Sequence, residues 1–134
     1  QDSFIGAAAA HRRSLRVYTE TAWASIFARN LFRRPTASQL GDFVPDFTII
    51  DVPSFRADPA TEGTRTETAI LVHLRRMEIL IVGTEYAGEM KKSAFTVMNY
   101  LMPDEGVLPM HSAVNVGPDH QRLRYAFSRA SRRR

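Results

Sequence analysis

The chain has 134 residues, 44% of them hydrophobic and 24% charged, and no cysteine. That balance suits one globular unit, the missing cysteines exclude a disulfide scaffold or Cys-ligated zinc or iron–sulfur centre, and no apolar run approaches the ~18 residues a bilayer span requires. The net charge is +4, but residues 121–134 hold six arginines and no acid, so the first 120 residues carry −2 and the body has no basic nucleic-acid-binding face.

Ala7 to Ala10 is too short for a signal-peptide core and follows an acid, Asp2, so a cytoplasmic location is the default expectation. The first residue is Gln1, which implies either processing or an excerpt from a longer chain. Trp23, Ile26, Phe27 and Leu31 recur at helical spacing and predict a helix with one buried face, closed by Arg33 and Arg34 and stopped by Pro35. Thr36 to Leu40 suggests a short second helix. Phe47 to Val52 is rich in β-formers between prolines and reads as a strand. Residues 54–66, with Asp58-Pro59 and Gly63, read as an exposed loop.

Two apolar runs, Ala69 to Leu74 and Met77 to Val82, are separated by Arg75-Arg76 and predict a hairpin buried on both faces. Met90, Ala94, Val97, Met98 and Leu101 make a core stripe on a helix ended by Pro103 and Gly106, and Val107 to Val116 reads as a strand carrying His111. Helices alternating with buried strands give an α/β class with a mixed sheet and flanking helices.

The most informative run is Gly83-Thr84-Glu85-Tyr86-Ala87-Gly88-Glu89-Met90-Lys91-Lys92. It places two lysines in the first turn of the predicted helix, where the unsatisfied N–H groups make a cation cost roughly 0.3–1 kcal/mol. A strand, a glycine turn and a helix start form a cradle for phosphate or carboxylate, so Lys91 and Lys92 mark a candidate anion site. The simpler reading is a solvated helix with Glu89 compensating. Gly83 and Gly88 have Walker A spacing, but Glu89 and Met90 stand where Lys and Ser or Thr are needed, so this is not a P-loop. A lone histidine on a strand is ordinarily a hydrogen-bonded core residue, so His111 by itself carries no assignment. His11, His73 and His120 lack catalytic company.

The run from Gly83 to Pro103 resembles the ATP-dependent phosphoenolpyruvate carboxykinases. So do Gly106-Val107-Leu108-Pro109-Met110-His111 with Asn115-Val116-Gly117, Thr19-Glu20-Thr21-Ala22-Trp23, Phe27-Ala28-Arg29-Asn30, Pro45-Asp46-Phe47-Thr48 and Gly63-Thr64-Arg65-Thr66-Glu67-Thr68. The resemblance is collinear over about residues 1–117. It implies a partial domain of a larger gluconeogenic enzyme, a lyase that converts oxaloacetate and ATP to phosphoenolpyruvate, CO2 and ADP with Mn2+ and a second divalent ion, Mg2+, on the nucleotide. By the same resemblance Tyr86 contacts oxaloacetate and Lys92 binds metal and bridges the two substrates. His111 is the second metal ligand, and Lys91 is a supporting cation near the enolate. Lysine ligates a metal only as the neutral amine, so a depressed Lys92 pKa is expected from the helix start, burial and the adjacent cation.

His111-Ser112-Ala113-Val114-Asn115-Val116-Gly117 departs from the family's usual His-Cys-Ser-Ala-Asn-Val-Gly. The family continues after this glycine into a P-loop and an Asp metal ligand, and neither is found here. Residues 1–120 are therefore expected to be a fragment of the N-terminal α/β region, inactive alone. Residues 121–134 are expected to be an arginine-rich tail, disordered or aberrant through a shifted reading frame. Two other readings are a nucleic-acid or acidic-partner binder acting through that tail, and a fragment retaining no function. No membrane partner is expected and the oligomeric state is open, although an excised layer should expose sheet edges and associate.

Overall fold

The computed structural model describes residues 1–116 and 123–127. Five strands form one mixed sheet: β1 (Asp2–Ile5), β2 (Arg13–Thr19), β3 (Phe47–Val52), β4 (Ala69–His73) and β5 (Glu78–Val82), in the order β1-β2-β3-β5-β4. The pairs β2/β3 and β3/β5 are parallel, while β1 and β4 join antiparallel at the two edges. Three helices follow the parallel strands or their loops: α1 (Ala22–Leu31), α2 (Ala37–Leu40) and α3 (Gly88–Leu101). This is the expected mixed α/β class.

One face of the sheet carries the larger core, and a smaller cluster of Ala57, Ala69 and Val82 lies apart from it. Leu15, Val17, Phe47, Ile49, Ile79 and Ile81 point from β2, β3 and β5 toward α1 and α3, which reply with Ala24, Ala28, Met90, Ala94 and Val97. The α3 stripe lies as its periodicity predicts, with Leu101 half-buried. α1 does not. Trp23 and Ile26 are 59% and 58% exposed, and the helix instead buries Ala24 and Ala28 with Phe32 beyond its end. Those positions also repeat every four residues, and their small side chains let the helix axis approach the sheet.

The predicted hairpin forms as β4 and β5, but burial on both faces fails for β4, where Ile70 is 40% and Leu71 52% exposed. An edge strand has one neighbour, and among the described residues no strand pairs with the outer edge of β4. Strands β1 and β2 carry weak apolar signals and were not foreseen. They are held by Arg16 to Asp2 hydrogen bonds of 2.6 and 2.9 Å, which lower the Asp2 pKa. The strand expected over Val107 to Val116 is shorter. It runs as β6 (Ser112–Val116), pairing antiparallel with β7 (Leu123–Phe127). Within the expected tail, 123–127 is thus paired, and residues 121, 122 and 128–134 lie outside the described set. Residues 54–66 form the expected loop, mostly exposed with Ala57 buried.

Candidate active-site cleft

The chain leaves β5 through Gly83, whose φ of +70° is a left-handed conformation. A Cβ there would lie 2.4 Å from the Glu67 carbonyl oxygen, so only glycine fits beside the start of β4. Thr84 Oγ1 accepts the Tyr86 N–H at 3.1 Å, and the backbone N–H groups of Glu89 and Met90 donate to Tyr86 and Ala87 carbonyls as α3 begins. Gly88 matters through a side chain and not through the backbone. A Cβ on it would meet the Tyr86 ring at 2.4 Å, so the missing side chain is what lets that ring lie across the helix start.

α3 begins at Gly88, so Lys91 and Lys92 are its fourth and fifth residues and fall past the first turn in which the sequence places them. The first turn instead holds Glu89, the charge sign a helix start favours. Met90, Ala94 and Val97 anchor the helix on the sheet and leave Lys91, Lys92 and Thr96 toward the outside.

Lys92 Nζ donates to Glu89 Oε1 at 2.5 Å and sits 4.8 Å from the centre of the Tyr86 ring. The Glu89 carboxylate holds the Lys92 ammonium above its usual range. The expected depression is not found, because the side chain is more than half exposed and a carboxylate, not a cation, is its nearest charge. Among the described residues Lys91 makes no ion pair.

The opposite wall depends on a reversal after α3. Gly106 adopts φ +71° and its N–H donates to the Pro103 carbonyl, turning the chain back along the helix. His111 consequently stands with its ring centroid 5.9 Å from that of Phe95. It immediately precedes β6 and is exposed, whereas the sequence reading put it within a half-buried strand. The two segments enclose a cleft of about 680 Å³ lined by Lys91, Lys92, Thr96, His111 and Ser112 on its polar side, with Phe95, Met110, Ile5, Leu31 and Phe32 on its apolar side. Tyr86 joins through its contact with Lys92. Phe95 was overlooked as a wall of the site, although its position one turn beyond Lys91 and Lys92 puts it on their face of α3.

A second cluster ties the ends of this region together. His11 Nδ1 lies 2.8 Å from Glu105 Oε2, and Arg13 pairs with the other oxygen of the same carboxylate. His11, read as lacking company, is thus a structural partner of the turn that follows α3.

As a place for a divalent ion the described residues fall short. They include no group of three His, Cys, Asp or Glu that could hold a metal. Lys92 and His111 offer two donors, the first a protonated amine already engaged by Glu89. Divalent ions take about four to eight ligands, so these side chains can be at most part of a set. No helix among the described residues is long and apolar enough to cross a membrane.

The family model for phosphoenolpyruvate carboxykinase matches residues 1–127, ten residues past the resemblance visible by motif. The phosphoenolpyruvate carboxykinase (ATP) of Mesorhizobium japonicum is 58% identical over 118 residues, and that of Novosphingobium aromaticivorans is 56% identical over 118. Each match covers 88% of this chain and 22% of the relative. The same-named protein of Rhizobium etli is 58% identical over 119 residues, 89% of this chain and 22% of its own length. The chain spans about a fifth of the length of the relatives it matches, and its sheet, its glycine turn and its lysine helix belong to the phosphoenolpyruvate carboxykinase family.

Proposed function

We propose that this chain carries the oxaloacetate-facing part of an ATP-dependent phosphoenolpyruvate carboxykinase site, a cytoplasmic gluconeogenic lyase, and that it has no carboxykinase activity alone. The observation that supports this reading is that Lys91, Lys92 and His111, from two segments 19 or more residues apart, line one cleft. Tyr86, crossing the helix start, would contact oxaloacetate. Lys92 would bridge the substrates, and Lys91 would face the enolate oxygen that decarboxylation leaves negative. Ammonium groups on a partly apolar wall suit that charge, because electrostatic stabilisation grows as water is excluded.

Lys92 and His111 would hold Mn2+ together with ligands from outside these residues. When bound, that ion supplies Lewis-acid stabilisation of the same oxygen. Before Lys92 could ligate, its Nζ would have to leave Glu89 and lose a proton. Transfer of phosphate from ATP needs a phosphate cradle, and no Gly-x-x-x-x-Gly-Lys-Ser/Thr loop occurs in the 134 residues.

Two assays on the purified chain test this. Incubation with oxaloacetate, ATP, Mg2+ and Mn2+ should yield no phosphoenolpyruvate. Titration with Mn2+, followed by the paramagnetic broadening of the Phe95 ring protons beside His111, should show weak binding that Lys92→Ala and His111→Ala each diminish. Phosphoenolpyruvate formation would refute the inactivity, and identical broadening elsewhere in all three proteins would remove the site.

A further inference from the structure

A second cavity, of about 300 Å³, opens where the β1 edge meets the C-terminal end of α1. Its lining includes Asp2 and Ser3 from β1, Arg29 from the last turn of α1, Arg34 and Pro35 from the link to α2, and Leu40 from α2. None of these residues lines the cleft that holds Lys91, Lys92 and His111.

Ser3 is the informative residue. It pairs with Leu15 of β2 and shares a face of β1 with Ile5, the face that packs toward the helices. Only 2% of it is exposed, and among the described residues its hydroxyl makes no hydrogen bond. A buried hydroxyl without a partner opposes folding. A ligand in the cavity that accepts its proton removes that cost.

Charge points the same way. Among the described residues the Arg29 guanidinium makes no ion pair or hydrogen bond, and Arg34 spends only its Nε, at 3.5 Å, on the Arg29 carbonyl. The acid in the lining does not neutralise them, because both oxygens of Asp2 are held by Arg16, at 2.6 and 2.9 Å. The first 120 residues carry −2, so two uncompensated guanidiniums here are a local feature and not a general basic surface. The dipole of α1 accounts for cations at its C-terminal end. It does not account for an unused hydroxyl buried beside them.

We propose that this cavity binds a phosphate group, as the free ion or as a small phosphomonoester, on Arg29, Arg34 and Ser3. A carboxylate has two oxygens, and one guanidinium fork occupies both. A phosphoryl group presents three terminal oxygens, enough for two forks and a hydroxyl donor. Pro35 and Leu40 supply an apolar side for the carbon chain of an ester. The inference is independent of the catalytic reading, since it uses none of the same residues.

Amide NMR titration of the full chain tests it, with inorganic phosphate, propyl phosphate or acetate replacing chloride at constant ionic strength. Both phosphates should shift the Ser3 and Arg29 signals saturably, and acetate should not. Tighter binding of propyl phosphate assigns the ester, and equal binding assigns the free ion. Arg29→Gln and Arg34→Gln should each weaken binding about tenfold, and Ser3→Ala about threefold. Ser3→Ala should leave the thermal midpoint level or raised, so its loss of affinity cannot come from a damaged fold. Arg33→Gln removes the same charge from an exposed position outside the lining and should change nothing. Shifts at Lys91 and His111 report the other cleft and are read separately. The proposal is overturned if phosphate in large excess leaves Ser3 and Arg29 unmoved, if acetate matches phosphate, or if Arg33→Gln weakens binding as much as Arg29→Gln, which would mean diffuse attraction to surface charge.

Discussion

Gly83→Ala tests whether the turn before α3 is set by backbone crowding or only by handedness. Gly83 sits at φ +70°, where a residue with a Cβ costs about 1–2 kcal/mol. The new methyl would also lie 2.4 Å from the Glu67 carbonyl oxygen, 3.0 Å from Thr68 Cα and 3.1 Å from the Glu67 carbonyl carbon. All three are main-chain atoms and cannot rotate away. β4 must shift at its start, straining the 2.7 Å hydrogen bond from Thr68 Oγ1 to the Gly83 carbonyl and the 3.3 Å bond from Arg56. Overpacking of this kind adds about 1–3 kcal/mol. Gly106→Ala and Gly63→Ala are internal controls, since both have φ near +70° with nothing within 4 Å of the added Cβ. At about 3–4 °C per kcal/mol for a chain of this length, Gly83→Ala should lower the thermal midpoint by about 10 °C and each control by about 5 °C. Urea and thermal melts followed by circular dichroism measure the difference. Equal losses in all three variants would refute the crowding argument and leave only handedness.

Gly88→Ala should act on geometry and not on stability: alanine gains up to about 1 kcal/mol of helix preference, while the Tyr86 ring must move off the helix start, read as a changed chemical shift of its ring protons. Burial, reinforced by the Glu20 charge, pushes the Asp51 pKa up, so its ionisation opposes folding, and Asp51→Asn should stabilise at pH 7 with the gain fading as pH falls through the carboxylate range. Glu20 shows the opposite sign. Its carboxylate accepts from the Ser54 hydroxyl and N–H, its pKa is lowered, and the stability it adds is present at neutral pH and lost on acidification, so Glu20→Gln should flatten the acid limb of a urea-midpoint profile. Glu105→Ala releases both His11 and Arg13 from a partly exposed cluster and should cost about 1 kcal/mol in urea unfolding.

What the sequence made legible follows from how many signals agreed at each place. β3 had β-branched residues between two prolines, and it forms over the expected span. α3 had a stripe and a stop, and both hold. In α1 two registers of apolar residues competed; hydrophobic size favoured Trp23 and Ile26, whereas close approach to the sheet favoured Ala24 and Ala28, and packing decided for the small residues. β2 buries only Leu15 and Val17, and its arginines are satisfied by residues distant in the chain, which no local pattern discloses. At the site, Lys91 and Lys92 were conspicuous because of their position relative to a helix start. The approach of His111 to Phe95 was not, since it depends on the left-handed turn at Gly106, read from sequence only as a stop.

Among the described residues the second face of the sheet is covered only where Ala57 packs with Ala69 and Val82 beside Val52 and Leu80. Parallel strands are ordinarily covered on both faces. Here α1 and α3 pack on the same one, leaving Tyr18 more than half exposed and Ile50 and Leu80 only half-buried on the other. The cleft repeats this one-sidedness. Its lysines and its imidazole come from α3 and the segment returning along it, while no carboxylate among its lining residues faces them. Two cations on a cleft wall with no opposing acid repel one another, and Lys92 relieves that by turning to Glu89 on its own helix. A ligand that recruited Lys92 would have to outcompete this local pair. In Glu89→Gln the competitor is gone, so the Lys92 amine should titrate lower and react faster with an amine-directed acylating reagent at pH 9, while Lys91 reactivity stays unchanged. Equal Lys92 reactivity in the parent and in Glu89→Gln would show that the pair does not restrain the lysine.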